Sequence, residues 1–394
     1  MKRVRSVFFW LHLTAGSLAA VVILVMSFTG TVLALKPQIQ NWVDRDVREV
    51  TPPATPRLGA NALLTAVKAA KPEVSVQLVA FDRDPGIAAT ISLGREGNIF
   101  VNPYDGAILG SPSAGTAQFF QTMTSWHRYM GASGESRATG RAATGASNLA
   151  FLFLGLSGLY LWWPSALTMR HLRPIVWFRT SGTSRARDFN WHNTIGFWCL
   201  IPIVIMTMSG VVMSYQWGNN LVYRLTGSPI PTRGGGPGGP GGPGGPGGGQ
   251  PTVIPEALDQ IVARAEQQMP TWSQLSFRLP NRDGGTVAFT LTNGAQWNRV
   301  ARNQLTLDGR TADVVQWQPY AGQNLGQRAR GWMRFGHTGE LGGLPGQIVA
   351  GLGCLGGMFL VYTGLALACR RLLNWSIWAS FGLKRRGIDA VAHS

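Results

Sequence analysis

VFFWLHLTAGSLAAVVILVMSFTGTVLAL, residues 7–35, contains no Asp, Glu, Lys or Arg. About 20 apolar residues suffice for an α-helix to cross a hydrocarbon core roughly 30 Å thick. A helix buried in a soluble domain rarely stays uncharged for so long. Three more runs share the property, at 142–169, 189–222 and 341–369. The fold class that follows is an α-helical integral membrane protein with four transmembrane helices. The first run follows Lys2, Arg3 and Arg5, as a secretory signal would. Its apolar part is much longer than a signal's ~7–15 residues and no A-x-A site follows, so 1–35 reads as a mature helix.

Cations in the short segments set the orientation. Lys2, Arg3 and Arg5 precede the first helix. The loop 170–188 holds Arg170, Arg173, Arg179, Arg185 and Arg187, and the tail 370–394 holds Arg370, Arg371, Lys384, Arg385 and Arg386. In a four-span topology all three lie on one side, which is expected to be cytoplasmic, with both termini there. The long segments 36–141 and 223–340 then face outward. Much of the net charge of +17 sits in these flanks, where topology and anionic lipid account for it. No nucleic-acid motif accompanies it, so no nucleic-acid partner is expected. The three cysteines, Cys199, Cys354 and Cys369, lie in or at the ends of the apolar runs, and there is no C-x-x-C-H. A disulfide framework, an iron–sulfur site and covalently attached haem are excluded.

The chain also repeats. His12-x-x-x-Gly16 followed by Thr29-Gly30 returns 180 positions later as His192-x-x-x-Gly196 followed by Ser209-Gly210. Amphipathic stretches at 60–71 (ANALLTAVKAAK) and 255–269 (PEALDQIVARAEQQM) are each followed by alternating β-rich stretches. These fall at 74–81 and 88–101, then at 275–279 and 287–291, and predict two small α+β modules. A second histidine follows each module, His127 or His337, and the helices after them share Ser157-Gly158 and Thr363-Gly364. Two parallel repeats, related by an axis along the membrane normal, are expected. The tract 234–249 (GGGPGGPGGPGGPGGG) reads as a flexible insertion.

Four of the six histidines occupy corresponding places in the two halves. A parallel two-fold brings His12 towards His192 near one membrane face and His127 towards His337 near the other. Imidazole within a membrane helix is costly and points to function, and neutral imidazole is a common haem-iron ligand. Gly16 and Gly196, one turn after their histidines on the same face, leave room for a flat macrocycle. Around His127, Phe119, Phe120, Met123, Trp126 and Met130 fall at helical spacing, as in a surface-lying helix. Taken singly, each histidine also fits plain packing with a hydrogen bond to a neighbouring helix; the symmetric pairs favour ligation. Zinc or copper lacks further Cys, Asp or Glu at either pair, apart from Glu340 near the second. Haem, needing two axial ligands, fits the inventory best. His171 and His393 read as solvated. Trp126, Trp272, Trp297, Trp317, Tyr320 and Trp332 identify no substrate site, and no catalytic residue emerges.

In order, His12 to Gly30, GLYLWWP at 158–164, WHNTIG at 191–196 with Ser209-Gly210, and GHTGELG at 336–342 resemble the PepSY-associated transmembrane family of bacterial inner-membrane proteins. The two modules look like PepSY domains, NPYDGAILG at 102–110 being the more typical end. Members are similar to iron-regulated membrane proteins and ferric-siderophore reductases, some with two b-type haems. The resemblance implies an oxidoreductase that passes electrons between two b-type haems and reduces a periplasmic ferric siderophore, releasing Fe(II). The implied axial ligands are His12, His192, His127 and His337, with the irons on the order of 20 Å apart. No G-x-G-x-x-G in a βαβ context is present, so electrons are expected from a cytoplasmic reductase or membrane quinol. The alternative is a PepSY membrane protein that binds or regulates a periplasmic partner without redox chemistry.

Overall fold

The computed structural model describes residues 2–164, 166, 168–231, 251–293 and 300–391. The tract 234–249, Trp297 and His393 lie outside the described residues. Four helices are long and apolar enough to cross a membrane: Arg3–Ala34, Gly134–Trp162, Ser184–Ser214 and Glu340–Leu372. They are called membrane helices 1 to 4 below. Their outward faces carry bare apolar side chains, with Leu18 82% and Ile201 71% exposed. Such surface suits lipid and not water. The chain is a multi-pass membrane protein.

Helices 1 and 3 each pack chiefly on helices 2 and 4, so they face one another diagonally across a four-helix ring. Small residues let the backbones close up. A side chain on Gly356 would collide with Cys199, and one on Gly357 would press on the Ser27 hydroxyl. Polar groups buried between helices are satisfied there. Asn148 Nδ2 donates to the Thr207 carbonyl at 2.8 Å, and Gln347 Nε2 to that of Ala34 at 2.9 Å. At the end carrying the basic flanks, buried Asp188 at the start of helix 3 pairs with Arg370 of helix 4 at 2.7 Å and with Arg187 at 3.3 Å.

Two helix ends differ from the uncharged runs. Helix 2 stops at Trp162, short of 169, because the residue before Pro164 leaves the helical region. The run 189–222 contains a break: Tyr215 is extended (φ −117°, ψ 131°), and Gln216–Leu225 forms a separate helix. Apolar composition alone reports neither stop.

The long segments meet at the other end of the bundle. They contribute strands β1 (Leu78–Asp82), β2 (Ala89–Ser92), β3 (Asn98–Val101) and β4 (Ile108–Gly110), then β5 (Trp272–Arg278), β6 (Val287–Asn293), β7 (Arg302–Leu307) and β8 (Val314–Gln318). Two small α+β modules were expected from the sequence, and their strands join edge to edge in one antiparallel sheet in the order β4-β3-β2-β1-β5-β6-β7-β8. The seam is β1 against β5, from Leu78 opposite Arg278 to Asp82 opposite Gln274. Helices Ala60–Ala70 and Leu258–Gln268 cover one face, and Leu63, Leu64, Val67, Val79, Ile261, Leu275, Phe277 and Phe289 share a single core. The second half also caps a helix of the first: Asp259 Oδ1 accepts from the Asn61 amide in the first turn of Ala60–Ala70, at 2.9 Å. Gly59 has no side chain where that carboxylate approaches. A half-sheet alone would leave β1 or β5 as an exposed edge, which pairing removes.

Candidate functional site

His12 and His192 lie on membrane helices 1 and 3 near the basic end. Their ring centres are 6.4 Å apart with planes 81° to one another. His127 lies in the last turn of the helix Ala114–Tyr129, and His337 ends Leu325–His337. Those rings are 6.1 Å apart at 69°. The structure thus brings together both pairs read from the repeat, at opposite ends of the bundle. The helical rise of about 1.5 Å per residue separates His12 from Thr29, which touches His127, by roughly 25 Å along helix 1.

Each imidazole is held in the same way. Nδ1 of His12 lies 2.9 Å from Ser157 Oγ, Nδ1 of His192 2.9 Å from Thr363 Oγ1, Nδ1 of His127 3.0 Å from Thr29 Oγ1, and Nδ1 of His337 3.1 Å from Ser209 Oγ. Each hydroxyl has one proton, and it is engaged by the carbonyl four residues back on its own helix. These bonds run from Thr29 to Val25 (2.7 Å), Ser157 to Phe153 (2.7 Å), Ser209 to Ile205 (2.6 Å) and Thr363 to Phe359 (2.8 Å). The oxygen keeps only lone pairs for the ring, so Nδ1–H donates. At the sheet end a backbone carbonyl also accepts from each Nδ1: Met26 from His127 at 3.0 Å and Met206 from His337 at 2.8 Å. All four rings therefore carry the proton on Nδ1 and a lone pair on Nε2, the arrangement second-shell acceptors impose on metal-binding histidines. No hydrogen bond to Nε2 occurs among the described residues. Burial, with His337 alongside, pushes His127 down to about 4, and burial lowers His337 too. Both are neutral at pH 7, as ligation requires.

A cavity of about 1200 Å³ opens beside the basic-end pair. That exceeds the ~300–1,000 Å³ usual for small-molecule sites. His12, His192, Gly16 and Gly196 all line it, with Leu154, Leu200, Phe151, Leu360 and Trp162. Gly16 and Gly196 do not touch the rings. A Cβ on Gly16 would make ordinary contact with Leu154 (3.6 Å), and one on Gly196 with Leu360 (3.7 Å). The glycines against imidazole are Gly30, Gly158 and Gly364, whose added Cβ would lie 3.4–3.5 Å from Cε1 of His127, His12 and His192.

The four hydroxyls and these glycines were visible in the sequence as repeated Thr/Ser-Gly dipeptides, but spacing assigned them no role. The signal was their recurrence in step with the histidines. The remaining candidates scatter. His171 hydrogen-bonds Thr168 at 2.8 Å in the exposed loop. Trp272 is buried in the sheet core, Trp317 packs against it, and Trp332 donates to Tyr320 Oη at 2.7 Å. No three His, Cys, Asp or Glu side chains converge among the described residues. Each site thus offers two imidazoles and no further donor of the kind zinc takes.

A helical membrane bundle capped by one sheet, with paired imidazoles at each end, is the class this fold and site define. Residues 9–371 match the model of the PepSY-associated TM region, and the chain belongs to that family. None of the curated proteins compared matches the chain.

Proposed function

We propose that the chain is an inner-membrane electron-transfer protein holding two b-type haems, and that it reduces a ferric siderophore on the sheet side to release Fe(II). One observation carries the reading: two facing imidazole pairs, each ring presenting a bare Nε2 and each Nδ1 tied to a hydroxyl. Two imidazoles bound to one ion at about 2 Å per nitrogen have ring centres roughly 6 Å apart, and the rings here lie at 6.4 and 6.1 Å. A pair without a third donor suits an ion whose other positions a macrocycle fills.

In this reading His12 and His192 hold one haem, and His127 and His337 the other. When bound, the haems supply one-electron couples. Ser157, Thr363, Thr29 and Ser209 orient the rings and keep the proton off Nε2. The bundle excludes water from the apolar slot beside His12 and His192. The basic flanks belong on the cytoplasmic side by the positive-inside rule, leaving both termini inside and the sheet in the periplasm, where substrate docks. The chain then comprises two parallel repeats, each a helix, a PepSY-like half-sheet, a histidine helix and a helix. A cytoplasmic reductase or membrane quinol donates electrons at the basic end.

The test is haem reoxidation in nanodiscs under anaerobic conditions, with chemically reduced protein, ferric siderophores added and an Fe(II) chelator reporting release. Rapid reoxidation with matching Fe(II) release is expected. Haems that stay reduced with every ferric siderophore tried, yet are drained by another oxidant, would refute the iron assignment.

A further inference from the structure

The cavity beside His12 and His192 has a sharply divided lining. Deep in it lie Phe151, Leu154, Leu200 and Leu360, while Arg5, Arg179, Arg185 and Arg371 also line it and are all exposed. Its lining includes no Asp, Glu or Lys. With no acidic side chain in that lining, an anion beside these guanidiniums gains charge-assisted hydrogen bonds.

Their present partners differ. Arg5 donates to the Leu161 carbonyl, and Arg371 lies over the Phe9 and Trp10 rings at 4.6 and 5.0 Å. The side chains of Arg179 and Arg185 make no hydrogen bond, ion pair or ring contact among the described residues. Arg179 is nonetheless fixed from its backbone. Its amide donates to Asn190 Oδ1 at 2.7 Å, and its carbonyl accepts from Trp191 Nε1 at 3.1 Å, next to His192. Buried Asn190 anchors the same loop through Nδ2, at 2.7 Å from the Pro174 carbonyl and 3.1 Å from that of Trp177. An unpartnered guanidinium on an anchored loop beside an apolar slot matches a ligand with a flat apolar body and carboxylates at one edge, for which Arg offers bidentate pairing.

Resting on the haem reading above, we infer that Arg179 and Arg185 bind the propionate carboxylates of the basic-end haem, fixing that edge of the macrocycle towards the basic flank. Arg5 and Arg371 complete the positive rim. Lipid phosphate is the other anion these arginines would meet at a membrane face, and the experiment separates the two.

Full-length apoprotein with His127→Ala and His337→Ala, so that only the basic-end pair binds, is titrated in detergent with haem b and with its dimethyl ester, which lacks both negative charges. Haem b is expected to bind roughly tenfold more tightly than the ester. Adding Arg179→Gln and Arg185→Gln should remove most of that preference by weakening haem b alone. A preference unchanged by those two substitutions overturns the inference; tighter binding of anionic-lipid nanodiscs by the unsubstituted chain than by Arg179→Gln with Arg185→Gln would then assign the arginines to lipid phosphate. Should the background variant fail to fold, potentiometric titration of the chain with its four histidines intact decides. Arg179→Gln with Arg185→Gln must lower one midpoint potential, the one lost in His12→Ala, and leave the other in place. Two unmoved potentials overturn the inference. A four-histidine chain that binds neither porphyrin overturns the haem reading itself, a different result from equal binding of both.

Discussion

The two histidine pairs reach the same geometry from different supports. At the basic end, His12 and His192 ride on membrane helices that the whole bundle holds in place. At the sheet end, His127 and His337 ride on short helices of their own, docked against membrane helices 1 and 3. Every Nδ1 has a hydroxyl acceptor; at the sheet end both rings also have a carbonyl partner, Met26 or Met206, whereas at the basic end His192 has one, Leu360, and His12 has none among the described residues. On a docked helix the carbonyl partner also pins the helix to its neighbour.

The largest effects test whether the pairs are units. His12→Ala and His192→Ala should each abolish the same haem, and His127→Ala and His337→Ala the other, read as loss of about half the Soret absorbance per protein. If the spectrum lost in His12→Ala is the one lost in His127→Ala, the pairing is wrong. Next comes the difference in support. Ser157→Ala, which leaves His12 Nδ1 without another partner, should weaken basic-end haem affinity by roughly 10–100-fold, the usual effect of removing a second-shell partner. Thr363→Val, Thr29→Val and Ser209→Ala should cost less, because the Leu360, Met26 and Met206 carbonyls remain. Equal losses from all four substitutions, measured by haem titration, would deny the carbonyls any such role.

Gly16→Leu or Gly196→Leu should lower basic-end haem content several-fold while leaving the sheet-end haem and membrane insertion intact, since Leu favours both helix and lipid. Full occupancy in both variants would show that the cavity tolerates an added side chain. Smallest is Gly158→Ala or Gly364→Ala, whose new methyl falls 3.4–3.5 Å from an imidazole Cε1. At that ordinary van der Waals distance haem content should stay intact, and only the low-spin g-values of that haem should shift slightly in electron paramagnetic resonance.

The bundle was legible because lipid imposes a simple demand, long uncharged runs, and residues 7–35 meet it without ambiguity. The pairing of His12 with His192 followed from a gapless repeat. The single sheet was not legible. Its seam depends on β1 meeting β5 across almost two hundred residues, and an alternating strand looks alike whether its edge is free or paired. Strands β4, β7 and β8 were also unread; β4 is three residues long, and β7 and β8 carry polar residues at several positions. The role of Ser157, Thr363, Thr29 and Ser209 was half-legible. Their recurrence was plain, but which atom each hydroxyl would meet depends on how two helices rotate about their axes, which no repeat states.

The central claim is that each pair holds a haem between two Nε2 atoms. Purified, haem-replete full-length protein should be assayed by pyridine haemochromogen for haem per chain, with absorption spectra before and after dithionite. The account predicts about two b-type haems per chain, both six-coordinate and low-spin. A stoichiometry that stays at one or none, or a high-spin five-coordinate spectrum at either site, would contradict it.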